Sequence, residues 1–492
     1  MRKIKSIPRL ANMLVFMVLA ISCSTSTNDT KASLVRDLMT TYHDIGQFNG
    51  AVLVSQNNHV IFEGAYGEAN REWNIPNTID TKFRLASVTK QFTAALVMDL
   101  VEEGKLDLQA TISNYLPEHR KDVADKVTIH HLLTHSAGFS KPNMTLEEYW
   151  DTFQKRMSKQ QIQEQLCSEP LNFEPGTKYS YSSAGYMVLG AIIEQVTGKS
   201  WEHALRERIL DPAGMSHTGV DDPDAILPER ASGYQTNFGS GNARFKYMPT
   251  SYSSGALYST VRDMYKWDQA LNSHLFLSEE STQMVFTPHI PSYRGSYGYG
   301  WYINEMPVAE STVTRVFHGG DASGFCAFIV RTLETNDCVI LLSNQEGLLY
   351  YDIAFNILKL LNNEQVDTPK AYVSDILRTA VYSKGLDKAL QQYELARNAG
   401  LINYNTDEDE IIELGYDLLA VDNIEAAIAV FKIGIELHPK SANAFDSLGE
   451  GYLVAKNYAL AKRNYQKSLE LDATNTNATD MLGKIDHLMS QL

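Results

Sequence analysis

The stretch FRLASVTKQFTAALV, residues 83–97, holds the one Ser-x-x-Lys motif of the chain, Ser87-Val88-Thr89-Lys90. Apolar residues at 92, 95, 96, 97 and 100 follow at helical spacing, and the pattern ends at Gly104, so a helix is predicted to begin at the motif. Ser87 and Lys90 would then lie one turn apart on one face, near the free N–H groups and positive dipole end of the helix. A serine hydroxyl becomes a nucleophile only when a neighbour removes its proton, and a desolvated lysine can do so. The alternative is a capping serine followed by a surface lysine.

Strand patterns lie at both ends of residues 35–362 and enclose mostly helical sequence. GAVLVSQNNHVIFEGAYG (50–67) predicts a hairpin, and CAFIVRTLETNDCVILLSN (326–344) predicts two late strands with a turn at Glu334–Asp337. This arrangement favours an α+β domain whose sheet is closed by distant segments of the chain.

Further stretches of this region resemble one protein family, in the order in which that family carries them. They are HHLLTHSAGF (130–139), EPGTKYSYSSAGYMVLGAIIEQVTG (174–198), SSGALYSTVRDMYKW (253–267), YGYGW (297–301) and FHGGDASGF (317–325). Together with residues 83–97 they are similar to the serine β-lactamases and penicillin-binding proteins, in the branch of class C β-lactamases, D-alanyl-D-alanine carboxypeptidases, D-aminopeptidases and esterases. The resemblance covers 35–362. It implies a β-lactamase/DD-peptidase-like fold, with an antiparallel sheet flanked by helices and a helical subdomain.

The resemblance assigns roles to the first two elements of the site. Ser87 would be the acylated nucleophile and Lys90 its hydrogen-bonded partner. Tyr181 opens Tyr181-Ser182-Ser183 and matches the tyrosine of the family's Tyr-x-Asn element, the general base. A tyrosine with an ordinary pKa of about 10 can act as a base only beside positive charge, which Lys90 and His318 would supply.

The third element is His318-Gly319-Gly320, which matches Lys-Thr-Gly in β-lactamases and His-x-Gly in several peptidases and esterases. Glycines beside a strand let the substrate backbone approach closely. By the resemblance, an oxyanion hole would use the N–H groups of Ser87 and Asp321.

Two positions depart from the family pattern. Ser183 stands where relatives carry an asparagine that binds the substrate amide and contacts the lysine. His318 stands where β-lactamases carry a lysine that grips a carboxylate, and its charge would vary near neutral pH. Both departures favour an esterase or peptidase-like hydrolase over a dedicated β-lactamase.

The sequence therefore predicts an exported, esterase-like serine hydrolase that forms an acyl-enzyme on Ser87 with a small-molecule ester or peptide substrate, without metal or organic cofactor. A D-amino-acid peptidase or carboxypeptidase, or a weak β-lactamase, is the alternative among enzymes. The alternative from another class is a non-catalytic penicillin-recognising binding or scaffold protein that works through helical repeats. Retention of all four reactive side-chain types favours the enzyme.

Two other groups of residues have competing interpretations. His131 and His135 are four apart on a predicted helical stretch, but no glutamate lies between them, so the metalloprotease pattern is absent and a structural role is expected. The Tyr297, Tyr299 and Trp301 cluster fits a substrate cleft and core packing equally well.

The N-terminal sequence predicts an export signal. MRKIKSIPRL carries four positive charges, and the apolar run ANMLVFMVLAI that follows is about half of the ~20 residues of a spanning helix, so residues 1–22 are typical of a signal peptide. Ala20-Ile21-Ser22-Cys23 resembles a bacterial lipobox, with Cys23 lipidated and residues 23–34 forming a polar tether. Plain secretion and a short anchor helix are the alternatives. We expect a lipid-anchored protein of the bacterial cell envelope, in the periplasm or at the cell surface.

The C-terminal part carries a repeat. Leu414-Gly415, Leu448-Gly449 and Leu482-Gly483 are spaced by 34 residues, the tetratricopeptide period. Residues 407–492 thus resemble that family, and an all-α domain over 371–492, after a linker at 363–370, is predicted to bind a protein partner or its own catalytic domain.

The composition argues against nucleic-acid binding and limits the possible disulfide bonds. Fifty-nine acidic against 43 basic residues give a net charge of −16 over 492 residues, which argues against a nucleic-acid binder. Three cysteines, 167, 326 and 338, follow the predicted signal peptide and Cys23, so any one bridge leaves a free thiol.

Overall fold

The computed structural model of the protein describes residues 29–140, 144–235, 241–308, 311–347 and 350–491. The predicted signal peptide 1–22, Cys23 and the first part of the predicted tether lie outside the described residues. The chain divides into two compact units. The first runs to Tyr234 and from Ala243 to Thr368, and the second holds Gln235–Asn242 and the chain from Pro369 onward.

The first unit is built on an antiparallel sheet of eight strands. In chain order they are β1 Gly50–Gln56, β2 His59–Tyr66, β3 Ile290–Ser292, β4 Gly295–Tyr297, β5 Tyr302–Val308, β6 Ser311–Asp321, β7 Cys326–Thr332 and β8 Cys338–Ser343. Their order across the sheet is β3-β4-β5-β6-β7-β8-β1-β2, with Gly50 opposite Ser343. The predicted α+β class, with a sheet closed by distant segments of the chain, is confirmed.

Both predicted hairpins are present. Asn57 and Asn58 join β1 to β2 with φ angles of 49° and 62°, the left-handed pair that a tight hairpin turn requires. The β7–β8 connection follows Thr332 and contains the predicted turn.

Helices and short strands complete this unit. The helices are α1 over 29–44, α2 Thr89–Glu102, α3 Lys121–Ala124, α4 Ile129–Leu133, α5 Leu146–Phe153, α6 Lys159–Leu166, α7 Ser183–Thr197, α8 Trp201–Leu205, α9 Tyr252–Gly255, α10 Val261–Asn272, α11 Glu279–Val285 and α12 Tyr350–Leu361. Among the described residues, the 3-10 turns Ala86–Val88, Ile112–Asn114 and Met248–Ser251 and the π turn Arg206–Leu210 lie between them. The short strands of this unit are Glu68–Asn70, Ile75–Pro76, Phe83–Arg84, Gly219–Val220 and Leu257–Ser259.

Both faces of the sheet are covered by helices. Successive side chains of a strand point to opposite faces, so Leu53 packs in the core that holds α2, whereas Val52 and Val54 pack in a second core with α1 and α12. The unit therefore has three layers, with helices on either side of the sheet, and α2 is buried along almost its whole length.

Two local predictions need correction. The helix after the Ser-x-x-Lys motif begins at Thr89, because Ala86 adopts a left-handed φ of 46° and Ser87 lies in the 3-10 turn that precedes α2. The predicted helical stretch through His131 and His135 is also wrong, since α4 ends at Leu133 and His135 has a φ of 58°.

The second unit consists mainly of helices. They are α13 Val373–Lys384, α14 Leu386–Asn398, α15 Glu408–Ala420, α16 Ile424–Leu437, α17 Ala442–Val454, α18 Tyr458–Leu471 and α19 Thr476–Ser490, with a parallel pairing of the two-residue strands Ala371–Tyr372 and Tyr404–Asn405. Helices α15, α17 and α19 begin at intervals of 34 residues.

Packing inside this unit follows the same period. A Cβ at Gly415 would meet the Phe431 ring, and one at Gly449, 34 positions later, would meet the Tyr465 ring. A C-terminal region of paired helices is therefore present, and its assignment to the tetratricopeptide family stays a prediction.

No helix within the described ranges is both long and apolar enough to cross a bilayer. Cys167, Cys326 and Cys338 are all buried.

Candidate active site

Ser87 lies at the wall of a cavity of about 590 Å³ in the first unit. The short strand Phe83–Arg84 leads into its turn and pairs with Leu257–Ser259, and the Leu85 N–H donates to the Leu257 oxygen at 2.8 Å. The cavity is lined by Ala86, Ser87, Ser140, Met144, Thr145, Tyr149, Phe153, Leu166, Tyr181, Ser182, Ser183, Ala184, Met187, Lys246, Ser251, Ser254, Gly255, Asp321 and Ala322. Ser87 is partly exposed there, as a nucleophile must be.

Lys90 is the buried neighbour of this hydroxyl. Its Nζ lies 3.1 Å from Ser87 Oγ and donates a hydrogen bond to the Ser254 carbonyl oxygen at 2.8 Å. The whole side chain is inaccessible to solvent. Burial, with a smaller contribution from the positive charge of Lys246, lowers the pKa of Lys90 to about 7. Lys90 is therefore substantially neutral near pH 7 and able to accept a proton.

Tyr181 lies beside both residues. Its hydroxyl shares a hydrogen bond with the Ser87 side chain, and Lys90 Nζ lies 4.9 Å from the centre of its ring. Burial raises the pKa of Tyr181 well above its ordinary value, and the hydrogen bond with Ser87 opposes this only in part. The phenol is thus protonated at neutral pH, so the expectation of an ionised tyrosine acting as the base has no support in the electrostatics.

Ser183 begins α7 and is exposed at the cavity. Its Oγ lies 3.5 Å from Lys90 Nζ, at the limit of a hydrogen bond. The contact between this position and the lysine is kept but is long, and the hydroxyl lacks the second polar atom of an amide.

His318 belongs to a chain of hydrogen bonds behind Tyr181. Its Nδ1 lies 2.6 Å from the Gly319 oxygen, its Nε2 3.1 Å from Tyr297 Oη, and that oxygen lies 3.2 Å from His135 Nε2. The Ser182 N–H donates to His135 Nδ1 at 3.2 Å. A carbonyl oxygen only accepts and a backbone N–H only donates. With both imidazoles neutral, His318 Nδ1 therefore donates to Gly319, Tyr297 donates to His318, and His135 donates to Tyr297.

The expected charge of His318 needs correction. Burial and the nearby Lys90 lower the pKa of His318 to about 3, so the imidazole is neutral at neutral pH and does not vary in charge there. Burial also lowers the pKa of His135. His318 is only 1% exposed and supplies no positive charge to Tyr181. Tyr297 is wholly buried, which settles its interpretation in favour of core packing.

The rest of the third element approaches the nucleophile closely. His318 and Gly320 share one face of β6, and a Cβ at Gly320 would lie 2.8 Å from the Ser87 backbone nitrogen. Gly319 and Asp321 share the other face: a Cβ at Gly319 would meet the Tyr350 ring, and Asp321 Oδ2 accepts from the Tyr350 hydroxyl at 2.7 Å. The strand therefore brings its backbone to Ser87.

Two functional features were missed by the sequence analysis. The Ser254 carbonyl that holds Lys90 follows Tyr252, which has a left-handed φ of 46°, a conformation that no sequence pattern revealed. Lys246 lines the cavity although it is 8% exposed. Its neighbours in the sequence, Phe245 and Tyr247, gave no periodic pattern that would distinguish it from a surface lysine.

The amino-acid sequence matches a family of known proteins. The family model named Beta-lactamase matches residues 33–359. Penicillin-binding protein 4* of Bacillus subtilis (strain 168) is 29% identical over 392 residues, which cover 73% of this chain and 83% of that protein.

Two further relatives match over shorter regions. Esterase EstB of Burkholderia gladioli is 37% identical over 185 residues, 35% of this chain and 46% of that protein. The teichoic acid D-alanine hydrolase of Staphylococcus aureus is 28% identical over 280 residues, 56% of this chain and 65% of that protein. The chain thus spans less than two thirds of either of these two relatives.

A solved structure agrees on the fold. The penicillin-binding protein of Bacillus halodurans is 27% identical, with a TM-score of 0.57 over 66% of this chain and 98% of that one.

Proposed function

The chain belongs to the beta-lactamase family, whose members are serine hydrolases, and on that premise we propose that it hydrolyses carboxylic esters through an acyl-enzyme on Ser87. The observation that carries the proposal is the 3.1 Å approach of Ser87 Oγ to Lys90 Nζ, a fully buried amine with a pKa of about 7. A base whose pKa lies near the working pH combines availability with driving force for proton transfer.

Acylation starts with transfer of the Ser87 hydroxyl proton to the neutral Lys90 amine. The oxygen then attacks the ester carbonyl carbon, the new C–O bond forms, and the bond to the alcohol oxygen breaks. The alkoxide takes up the proton that Lys90 received, with the Tyr181 hydroxyl as carrier, because that phenol stays protonated and shares a hydrogen bond with Ser87. In the acyl-enzyme Lys90 is again neutral.

Deacylation repeats the sequence with water. Lys90 accepts a proton from the attacking water, and the water oxygen forms a new bond to the acyl carbon. The bond from that carbon to Ser87 Oγ breaks, and Lys90 returns its proton to Ser87 Oγ as the carboxylic acid leaves. The backbone N–H groups of Ser87 and Asp321 would stabilise the oxyanion in both steps, a role that the close approach of β6 to the turn supports.

Esters rather than amides are favoured at the position of Ser183. The serine offers one hydroxyl where an asparagine would offer a donor and an acceptor, so a substrate amide is poorly satisfied there. The neutral His318 offers no cation for the carboxylate of a β-lactam. The relative named Esterase EstB supports the same substrate class.

A substrate panel tests this proposal. We expect the purified protein to hydrolyse p-nitrophenyl acetate or butyrate with a higher kcat/KM than D-alanine amide, a D-Ala-D-Ala peptide or a chromogenic cephalosporin, and Ser87→Ala to lose turnover of the esters. If the cephalosporin or the peptide is hydrolysed more efficiently than every ester, the esterase assignment is wrong. The peptidase or β-lactamase function, which the relative named Penicillin-binding protein 4* favours, would then replace it.

Export to the cell envelope is part of the proposal. The support is the charged and apolar N-terminal sequence together with relatives named for penicillin binding and for teichoic acid. Intact-mass analysis of membrane-extracted protein should find a lipid-modified chain that begins at Cys23. A mature soluble form that begins elsewhere would contradict the lipid anchor.

The helical unit is proposed to bind a protein partner and to be dispensable for chemistry. Every catalytic candidate precedes Thr368, and the helix pairs α15–α16 and α17–α18 repeat at 34 residues. A chain ending at Thr368 that is folded by circular dichroism should keep ester turnover and lose cross-linking to partners in the envelope. Loss of turnover in such a folded chain would show that the helices shape the site.

A further inference from the structure

A second lysine lines the cavity without belonging to the catalytic set. Lys246 precedes the 3-10 turn Met248–Ser251, and it is 8% exposed. Its Nζ donates to the Tyr149 hydroxyl at 3.3 Å and lies 4.5 Å from the centre of the Phe153 ring. Aromatic faces stabilise an ammonium ion and leave its remaining donors free.

The segment that carries Lys246 is fixed to α5. The Tyr247 N–H donates to the Phe153 oxygen at 2.8 Å, and the Thr250 hydroxyl donates to the Lys155 oxygen at 3.0 Å. The ammonium group is therefore held at the cavity wall by its backbone as well as by the two rings.

Lys246 has no counter-ion within the described parts of the chain, since no carboxylate there lies within 4.0 Å of its Nζ. The charged groups that interact with Lys246 are themselves positive. They are Arg84, which is paired with Asp221 at 2.6 Å, and Lys90. Burial lowers the pKa of Lys246 to about 8, so the amine is still mostly protonated at pH 7. Burial raises the pKa of Tyr149, so that phenol is neutral and supplies no negative charge.

One carboxylate does line the cavity, that of Asp321. Its two oxygens contact the Tyr350 hydroxyl at 2.7 Å and the Cys326 thiol at 2.9 Å, on the face of β6 opposite to Gly320 and Ser87. Neutral donors therefore hold the Asp321 carboxylate, which forms no ion pair with Lys246 and is not among the causes that shift the pKa of Lys246.

A buried ammonium without a counter-ion carries a desolvation cost that a bound anion would offset. We propose that Lys246 binds a carboxylate of the substrate, so that the esters cleaved at Ser87 carry a negative charge on their acyl or alcohol part. The proposal rests on the proposed ester hydrolysis and names its substrate class. The positive charge that binds the substrate carboxylate would then come from Lys246 and not from β6, since His318 on that strand is neutral.

Two matched pairs of esters test the proposal and locate the charge. On the acyl side, the mono-p-nitrophenyl ester of adipic acid is compared with p-nitrophenyl hexanoate, which has the same length without the carboxylate. On the alcohol side, m-acetoxybenzoate is compared with phenyl acetate, whose leaving group has a similar basicity. In the wild type, one pair should show a kcat/KM ratio of charged to neutral ester of roughly 10 to 100, the range expected for a charge-assisted hydrogen bond.

Variants assign that ratio to Lys246. Lys246→Met keeps much of the apolar stem and removes the charge, and it should lower the ratio by roughly 10- to 100-fold. Lys246→Arg should keep most of the preference. The matched control is Lys82→Met: Lys82 is also buried but contacts Pro228 and Glu229 outside the cavity, and its loss should leave the ratio unchanged.

The outcomes separate this proposal from the one on which it rests. A wild type that cleaves neutral esters and shows no preference in either pair overturns the role of Lys246 and leaves the Ser87 esterase standing, whether or not the methionine variant folds. A preference that survives in folded Lys246→Met overturns it too. If no ester is cleaved and Ser87 is not labelled by a fluorophosphonate, the proposed function fails, and this inference fails with it.

Discussion

A Cβ atom at Gly320 would lie 2.8 Å from the backbone nitrogen of Ser87 and 2.2 Å from the carbonyl oxygen of Leu85. Strand β6 and the nucleophile turn are more than two hundred residues apart in the chain, and only a glycine lets them approach so closely. This contact sets the backbone of β6 beside the backbone of the turn that carries Ser87. It connects the sheet to the catalytic serine.

Gly320→Ala should therefore displace the turn. We expect kcat/KM for a short ester to fall by on the order of 100-fold, since a misplacement of about 1 Å has that effect, and stability to fall by about 1–3 kcal/mol. Steady-state kinetics and thermal unfolding measure the two effects. The matched control is Gly319→Ala on the opposite face, where the added atom meets Tyr350 and activity should suffer less. Equal turnover in Gly320→Ala and the wild type would contradict the account.

Lys90 and Tyr181 should act as one proton-transfer unit. Lys90→Ala and Tyr181→Phe should each lower the acylation rate by on the order of 10²–10⁴, because the proton from Ser87 then lacks either its acceptor or its carrier. The double variant should lose little more than either single one. Stopped-flow measurement of the acylation step provides the comparison, and fully additive losses would show that the two residues act independently.

Activity should follow the protonation of Lys90. With a pKa of about 7, the amine is protonated at lower pH and cannot accept the serine proton, so kcat/KM should fall as the pH drops through about 7 and level off above it. His318, with a pKa of about 3, stays neutral over this range. Lys246→Met should move the inflection to higher pH, because the charge of Lys246 is one cause of the lowered pKa. A pH–rate profile that rises towards acid would refute the role of Lys90.

Ser183→Asn should widen the substrate range. The amide side chain can pair a substrate amide that the serine leaves poorly satisfied, at about 1–3 kcal/mol when buried. The ratio of amide to ester hydrolysis should rise by roughly 5- to 100-fold. Parallel kinetics on D-alanine amide and p-nitrophenyl butyrate give this ratio, and a ratio unchanged by the substitution would remove Ser183 from substrate selection.

Features that depend on local sequence could be predicted. The turn at Asn57–Asn58 follows from residues that tolerate a left-handed φ, and the closeness of Ser87 to Lys90 follows from their spacing. The resemblance to a family also assigned Tyr181 to the site of Ser87, and a hydrogen bond joins their side chains in the structure.

Features that depend on burial by distant segments of the chain could not be predicted from the sequence. The charge of His318 was misjudged because its neutral state follows from full burial and from the hydrogen bond with Tyr297. The protonated state of Tyr181 also results from burial. Lys246 resembles any surface lysine in the sequence, and only the packing of α5 against its segment places it in the cavity.

The central claim is that Ser87 forms the acyl-enzyme, and covalent labelling tests it most directly. A fluorophosphonate probe should add one adduct per wild-type chain, located on Ser87 by peptide mass analysis, and none to folded Ser87→Ala. Ser183→Ala should still be labelled, although Ser183 Oγ also lies 3.5 Å from Lys90 Nζ. Equal labelling of Ser87→Ala and the wild type, or an adduct on Ser183, would contradict the account.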